Sequence, residues 1–176
     1  VENSIVNGTM WCLSGNRLVL RNSLLRLDGM LAENPFSGNL DVQFCTIDAS
    51  LLTSYQMGVP QSAVFNCKGP MQVTFRNNIV MMPSEDLQLN LFSGLSAMDA
   101  LIFSNNAYCL NDNRLVHLYY DGSSTKNQSF AEWRMTGHDL NSFESDDLVL
   151  TDWMPQPGSQ VIGAAARTDN HLDLTG

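Results

Sequence analysis

The sequence predicts an all-β solenoid of about five stacked coils with a C-terminal cap, and three observations lead to this fold class. A pattern of apolar positions around an amide-rich corner recurs five times along the 176-residue chain. Successive copies lie about 19 to 33 residues apart, the period of a solenoid whose insertions lie in loops. Clusters of Gly, Pro, Asn and Ser separate the strand-like segments. Each unit is too small to bury its apolar row alone, so the units are expected to stack.

Each copy is predicted to be a short strand, a corner and a second short strand. The copies align on a residue that is usually asparagine, namely Asn3, Asn22, Phe44, Asn77 and Asn105. Two positions earlier stand the apolar residues Val1, Leu20, Val42, Phe75 and Phe103, and three positions later stand Val6, Leu25, Ile47, Val80 and Tyr108. The backbone must leave the extended region at a sharp corner, which asparagine tolerates better than most residues.

The corner asparagines are predicted to form a structural ladder. Its members are Asn3, Asn22, Asn77 and Asn105. Stacked one above another, such amides supply each other with hydrogen-bond donors and acceptors. Phe44 departs from the pattern, so we expect the amide stack to break in that coil and an aromatic ring to fill the space.

A third strand is expected before each of these pairs. The candidate segments are 10–13, 30–33, 63–67, 87–91 and 115–119. Turns are predicted where Gly, Pro and small polar residues cluster, as at 14–16, 35–38 and 68–70. The longest interruption, residues 51–61, is interpreted as a loop that leaves the coil.

The repeat pattern ends near residue 122, which predicts two parts within one domain. Residues 1–122 are expected to form the coils and residues 123–176 the C-terminal cap. A polar loop is expected at the start of the cap, over 122–128. A solenoid needs such a cover because unpaired strand edges invite aggregation.

One short helix is predicted in the cap. Ser129 followed by Glu132 is a capping box, and Gly137 is a C-terminal helix signal. Phe130 and Trp133 lie three positions apart and share a helix face, so we expect both to pack over the last coil.

Composition excludes several classes of partner. The net charge is −9, and only two lysines are present, whereas nucleic-acid binding depends on many Lys and Arg contacts to phosphate. No apolar run is long enough for a membrane span. Four well-separated cysteines, without a Cys-x-x-Cys pair, indicate buried thiols more than a zinc site, and a disulfide stays open.

This arrangement resembles the right-handed parallel β-helix family, the pectate-lyase-like group, with three strands per coil and an asparagine ladder. The resemblance covers residues 1 to about 122, and the stretch "PQPGSQVIGAA" resembles the segment that follows the last coils in this family. It implies an extracellular or cell-surface protein. Members include polysaccharide lyases, hydrolases and epimerases, phage tailspikes and non-catalytic surface modules.

The residues do not assemble a catalytic site, so the catalytic residues stay unknown. The outward positions expected to carry catalysis contain one acid, Glu33, and one histidine, His117, which lie about four coils apart and cannot act on one sugar. No cofactor is indicated. Calcium is the one metal considered, with Asp28 and Asp48 one coil apart as the candidate ligands.

The binding candidates are arginines and outward polar residues. Arg21 and Arg76 are predicted to share a row with Gln43 and Ser104, and arginine matches a carboxylate fork; pairing with the surplus acids is the alternative. The proposed glycan-binding residues are Arg21, Arg76, Asn66, Asn90, His117 and Tyr119.

We therefore expect a non-catalytic module of a larger extracellular or surface protein, binding a polysaccharide or a protein surface. The alternative is the C-terminal part of a polysaccharide lyase, hydrolase, epimerase or phage tailspike depolymerase, with its catalytic residues before Val1. Upstream coils or self-association are expected to cover the N-terminal end, because Val1 lies inside the first copy.

Overall fold

The computed structural model describes residues 1–8, 17–27, 32–50, 62–82, 89–96, 100–110, 115–120, 125–145, 150–151 and 154–155. In chain order its elements are β1 (Ile5–Asn7), β2 (Arg17–Arg21), β3 (Leu24–Arg26), β4 (Ala32–Gln43), β5 (Thr46–Asp48), β6 (Ser62–Arg76), β7 (Ile79–Met81), β8 (Leu89–Ser96), β9 (Ala100–Ser104), β10 (Ala107–Cys109), β11 (Leu115–Tyr120), β12 (Thr125–Ser129), α1 (Phe130–Met135), β13 (Phe143–Glu144), β14 (Leu150–Thr151) and β15 (Met154–Pro155). The protein is mostly β, as the sequence predicts.

Two parallel sheets contain most of these strands. The short-strand sheet has the order β1-β3-β5-β7-β10-β13. The long-strand sheet has the order β12-β11-β8-β6-β4-β2, and β9 also pairs with β6. Within each sheet the neighbours are parallel, except that β12 runs antiparallel to β11. The chain therefore crosses between the sheets and returns to each one beside its previous strand.

A residue with left-handed backbone stands at each crossing from the long-strand sheet to the short-strand sheet. The φ angles are 50° at Asn3, 46° at Asn22, 55° at Phe44, 57° at Asn77 and 57° at Asn105. These are the five residues on which the sequence copies align. The Asn22 backbone N–H donates to the Gln43 carbonyl at 3.1 Å, and the backbone N–H groups of Asn3, Phe44 and Asn77 donate in the same way to the next strand. The aligned asparagines are therefore corner residues, as predicted.

The amide ladder lies one position later than predicted. It is formed by Asn78 and Asn106, which are 1% and 0% exposed, rather than by the set Asn3, Asn22, Asn77 and Asn105. Asn78 Nδ2 donates to Asn106 Oδ1 at 3.2 Å, and the Asn78 backbone N–H donates to the same oxygen at 3.0 Å. The reason is that the N–H after each left-handed residue turns away from the sheet ladder and needs a side-chain acceptor.

The same position carries smaller polar side chains in the other copies. Ser23 Oγ accepts the Ser4 backbone N–H at 3.3 Å, and Asn78 Oδ1 accepts the Cys45 backbone N–H at 3.0 Å. At the predicted break the stack contains the thiol of Cys45, which donates to the Gln43 carbonyl at 3.4 Å. The prediction that an aromatic ring fills this space is therefore wrong, because Phe44 is only half-buried at the corner.

The core lies between the two sheets. Alternate residues of the strands point inward, among them Leu20, Val42, Val73, Phe75, Leu25, Ile47, Val80 and Tyr108, all at most 1% exposed. A column of aromatic rings runs through Phe65, Phe92, Phe75 and Phe103, with centroids 4.9 to 6.1 Å apart. Among the described cysteines, Cys45, Cys67 and Cys109 are buried.

Two predicted turns are parts of continuous strands. Residues 35–38 lie within β4 and residues 68–70 within β6. The pairing of β4 with β6 shifts register around Phe36 and Gly38, and Gly38 has a φ of 117°. An irregularity of this kind bends a strand without ending its pairing, which explains why Gly and Pro are present.

The cap helix is formed as predicted. Ser129 accepts the Glu132 backbone N–H, and the Glu132 carboxylate accepts the Ser129 backbone N–H at 2.9 Å. Phe130 and Trp133 are buried, and the Trp133 ring packs edge-to-face on Phe103 at 5.4 Å.

The predicted boundary at 122/123 does not end the sheets. β12 pairs with β11 where a polar loop was expected, and β13 pairs with β10. None of the helices in the described part of the chain is long and apolar enough to cross a membrane.

Candidate functional site

The outward side of four neighbouring strands forms one surface, which we call the arginine face. It comprises Arg17, Val19, Arg21, Asn39, Asp41, Gln43, Gln72, Thr74, Arg76, Ala100, Ile102 and Ser104, from β2, β4, β6 and β9. The alternate residues of these strands are in the core, so the named ones point away from it. Register pairs join them across the strands into rows, one of which is Arg21, Gln43, Arg76 and Ser104.

Arg21 is held by the acid of its neighbouring strand. Its guanidinium donates to the Asp41 carboxylate, which also accepts the Gln43 side-chain amide at 2.6 Å. Asp41 is 8% exposed. The hydrogen bond to Asp41 raises the pKa of Arg21 above its ordinary value. The charges of Arg21 and Asp41 therefore offset each other, as the alternative interpretation of this row expected.

Arg76 has a different environment in the same row. Its Nε donates to Ser104 Oγ at 3.0 Å, which orients the guanidinium over the strand junction. Arg76 is exposed, and its terminal amino groups have no protein partner among the described residues. Two parallel N–H groups presented in this way match the two oxygens of a carboxylate. Arg76 therefore presents an exposed guanidinium, oriented by Ser104, on the arginine face.

Thr74 and Ile102 form the row next to that of Arg76 on the same surface. They are register partners on β6 and β9, one strand spacing of about 4.8 Å apart. Thr74 is half-buried, whereas Ile102 is 51% exposed. Arg76 thus stands beside one hydroxyl group and one exposed branched side chain.

The charge of the arginine face is opposite to that of the whole chain. Three arginines and one aspartate lie on it, while the chain carries 18 acids against 9 bases. Arg17 is exposed at the far end of β2. A local cationic surface attracts an anionic ligand even on an acidic protein, most strongly at low ionic strength.

The predicted binding residues do not all lie here. Arg21 and Arg76 are brought into one row. Asn90 is 2% exposed, so the prediction that it faces a ligand was wrong. Its neighbours in β8, Leu91 and Phe92, are also buried, which shows that both faces of the strand are covered at this point. Asn66 lies in β6, and His117 and Tyr119 lie in β11, but their side chains lie outside the described ones.

Of the two calcium candidates, Asp48 alone lies in the described part of the chain. Asp28 lies outside the described residues. Asp48 is 3% exposed, its carboxylate lies 3.8 Å from Arg26 Nε, and Oδ1 accepts the Ser50 backbone N–H at 2.9 Å. No group of three His, Cys, Asp or Glu side chains suited to a metal ion occurs among the described residues.

A second polar cluster lies beneath the cap and is structural. The Asp139 carboxylate accepts Tyr108 Oη at 2.5 Å, Asn106 Nδ2 at 3.1 Å and Ser142 Oγ. Burial raises the pKa of Asp139, although these hydrogen bonds oppose the shift. Burial also raises the pKa of Tyr108. These hydrogen bonds join the cap to the end of the amide ladder. Asp139 is only 1% exposed, so its carboxylate is not accessible to a ligand.

Sequence reasoning missed Asp41, Thr74 and Ile102 as surface residues. The signal was present, because each stands between two aligned apolar positions and must therefore point outward. No protein-family model, curated protein or solved structure matches this chain.

Proposed function

We propose that the chain is a right-handed parallel β-helix module that binds a carboxylated glycan on the arginine face without cleaving it. The architecture is supported by the way in which the chain returns to each sheet beside its previous strand, with parallel pairing throughout the central strands. The regular bonds at the left-handed corners also support it. Stacked units of this kind produce extended surfaces suited to long ligands.

The observation that carries the binding proposal is the state of Arg76. Ser104 orients its guanidinium, and no described acid neutralises it. A carboxylate bound there gains charge-assisted hydrogen bonds without first displacing an internal partner. Arg21 contributes less, because binding through it competes with Asp41.

The row also supports an orientation for the ligand. Gln43, Arg76 and Ser104 lie on three successive strands about 4.8 Å apart. An extended pyranose residue has a similar length, so a glycan lying across the strands places successive sugars at successive positions of this row. The side chains of Gln43 and Ser104 offer hydrogen-bonding atoms to the hydroxyl groups on either side of the carboxylate.

A non-catalytic role is supported by the surroundings of Arg76. Lyases and glycosidases need a base or a pair of acids at the bond that is cleaved. The one described acid on the arginine face is Asp41, whose two oxygens are already bonded to Arg21 and Gln43. The enzyme or tailspike alternative therefore needs residues outside this surface, and a glycan partner favours an extracellular or cell-surface location.

The second expected partner is a further strand at the edge of β1. Ile5 is 67% exposed on this edge strand of the short-strand sheet, which supports contact with upstream coils or with another copy of the chain. Light scattering over a range of protein concentrations tests whether copies of the chain associate. A constant monomer mass at all concentrations would exclude self-association.

Binding to carboxylated glycans is tested by calorimetric titration with oligogalacturonate and with a neutral oligosaccharide of equal length. We expect the charged ligand alone to bind, and Arg76→Gln to weaken its binding by about tenfold or more, the value of a charge-assisted pair. Arg134→Gln removes the same charge from the exposed surface of α1 and should leave the affinity unchanged. Equal binding by wild type and Arg76→Gln would refute the proposal.

A further inference from the structure

An exposed apolar side chain stands beside Arg76, the proposed anion-binding group. Ile102 points outward from β9, and it is the one large hydrophobic residue of the arginine face, as far as the structure describes it, that is exposed, at 51%. Single exposed apolar residues are common and do not mark a site by themselves. What distinguishes Ile102 is its position on the strand next to Arg76, within reach of any ligand that Arg76 binds.

Thr74 adds a polar group between these two. It is the register partner of Ile102 and lies two positions before Arg76 on the same side of β6. Its hydroxyl has no protein partner among the described residues, so it is available as both donor and acceptor. An acetamido group combines a methyl group with an amide N–H and C=O. It therefore fits a hydroxyl beside an apolar side chain.

The positions of these groups constrain the order of sugars in the ligand. In the proposed row the sugar next to the one at Arg76 lies over Ser104, and Ile102 stands two residues before Ser104 on β9, about 7 Å along the strand, where a substituent of that sugar points. Resting on the proposed function, we infer that the ligand is a polysaccharide in which a uronate alternates with an N-acetylhexosamine. The uronate binds Arg76 and the acetamido group of the next sugar contacts Thr74 and Ile102.

The test compares three oligosaccharides of equal length by calorimetric titration. The first alternates glucuronate with N-acetylglucosamine, the second is its N-formyl counterpart, which lacks only the acetyl methyl group, and the third is oligogalacturonate. We expect the N-formyl compound to bind about fourfold more weakly than the acetylated one, the effect of one buried methyl group.

Three substitutions assign that difference to the surface. Ile102→Ser should remove the preference for the acetylated over the N-formyl compound, whereas Arg76→Gln should weaken the binding of both compounds and keep the preference. Leu140→Ser, at a position 57% exposed on the cap, is the matched control and should keep the preference. All three changes are at exposed positions, so the fold is expected to tolerate them.

The outcomes separate this inference from the proposed function. Equal binding of the acetylated and N-formyl compounds, with oligogalacturonate still dependent on Arg76, would overturn the inference alone. If none of the three carboxylated ligands binds, both the inference and the proposed function are refuted, and a protein partner for the arginine face is favoured.

Discussion

Replacing Asn78 by alanine tests the ladder on which the stacking of the corners depends. The side chain is 1% exposed, its Oδ1 accepts the Cys45 backbone N–H at 3.0 Å, and its Nδ2 donates to the Val42 carbonyl at 3.0 Å. Asn78→Ala leaves both of these buried backbone groups without their partner. Each unsatisfied group costs about 1 to 3 kcal/mol. The expected loss is therefore about 2 to 6 kcal/mol in the free energy of unfolding.

The assay is urea unfolding followed by circular dichroism, with thermal unfolding as a second measurement. For a chain of this size the same loss lowers the Tm by about 4 to 24 °C. Asn7→Ala, at an exposed asparagine of β1, is the matched control and should change stability by less than about 0.5 kcal/mol. A loss at Asn78 no larger than that at Asn7 would refute the reasoning, because the ladder bonds would then contribute nothing net.

Three further changes test other parts of the fold. Phe44→Asn should stabilise the protein by about 1 kcal/mol, because an aromatic residue at a φ of 55° is strained where asparagine is tolerated; an unchanged urea midpoint would contradict this. Gly94→Ala should cost more than about 3 kcal/mol, because Gly94 has a φ of 74° and a Cβ there would lie 1.9 Å from the Cys67 carbonyl oxygen; wild-type stability would contradict this close approach of β8 to β6. Burial raises the pKa of Asp139, so the folded state holds the proton of this carboxyl group more tightly than the unfolded state does. Proton binding at Asp139 therefore stabilises the fold at low pH, and this stabilisation is lost as the pH rises through the folded-state pKa. Unfolding titrations at acid and neutral pH should show that Asp139→Asn flattens this dependence, and an unaltered slope would exclude Asp139 as its source.

The corners and the core were predictable because both depend on local rules. An alternating apolar pattern indicates which residues point inward, and a left-handed position selects asparagine. The ladder was placed one residue too early because "FRNNIV" contains two adjacent amides, and propensity alone does not say which one turns inward. The small residues at Ser23 and Cys45 in the matching position were the available signal, because only a short side chain or a bonded amide fits inside the corner.

The other differences depend on tertiary context. Asn90 was predicted to face outward from the alternation in "LQLNL", but neighbouring elements cover both sides of β8 there, and the sequence does not show which strands are covered twice. Within the site, the row of Arg21 and Arg76 was predictable from register. Which of the two is neutralised was not, because it depends on Asp41 lying beside Arg21 on the next strand.

A nuclear magnetic resonance titration of the labelled protein with oligogalacturonate is the most direct test of glycan binding by the arginine face. We predict chemical-shift changes confined to the arginine face, largest at Gln43, Thr74, Arg76 and Ser104. We predict none at Arg26 on the short-strand sheet or at Met135 in the cap. Shift changes centred on either of those surfaces, or no changes at low ionic strength, would contradict the claim that the arginine face binds carboxylated glycans.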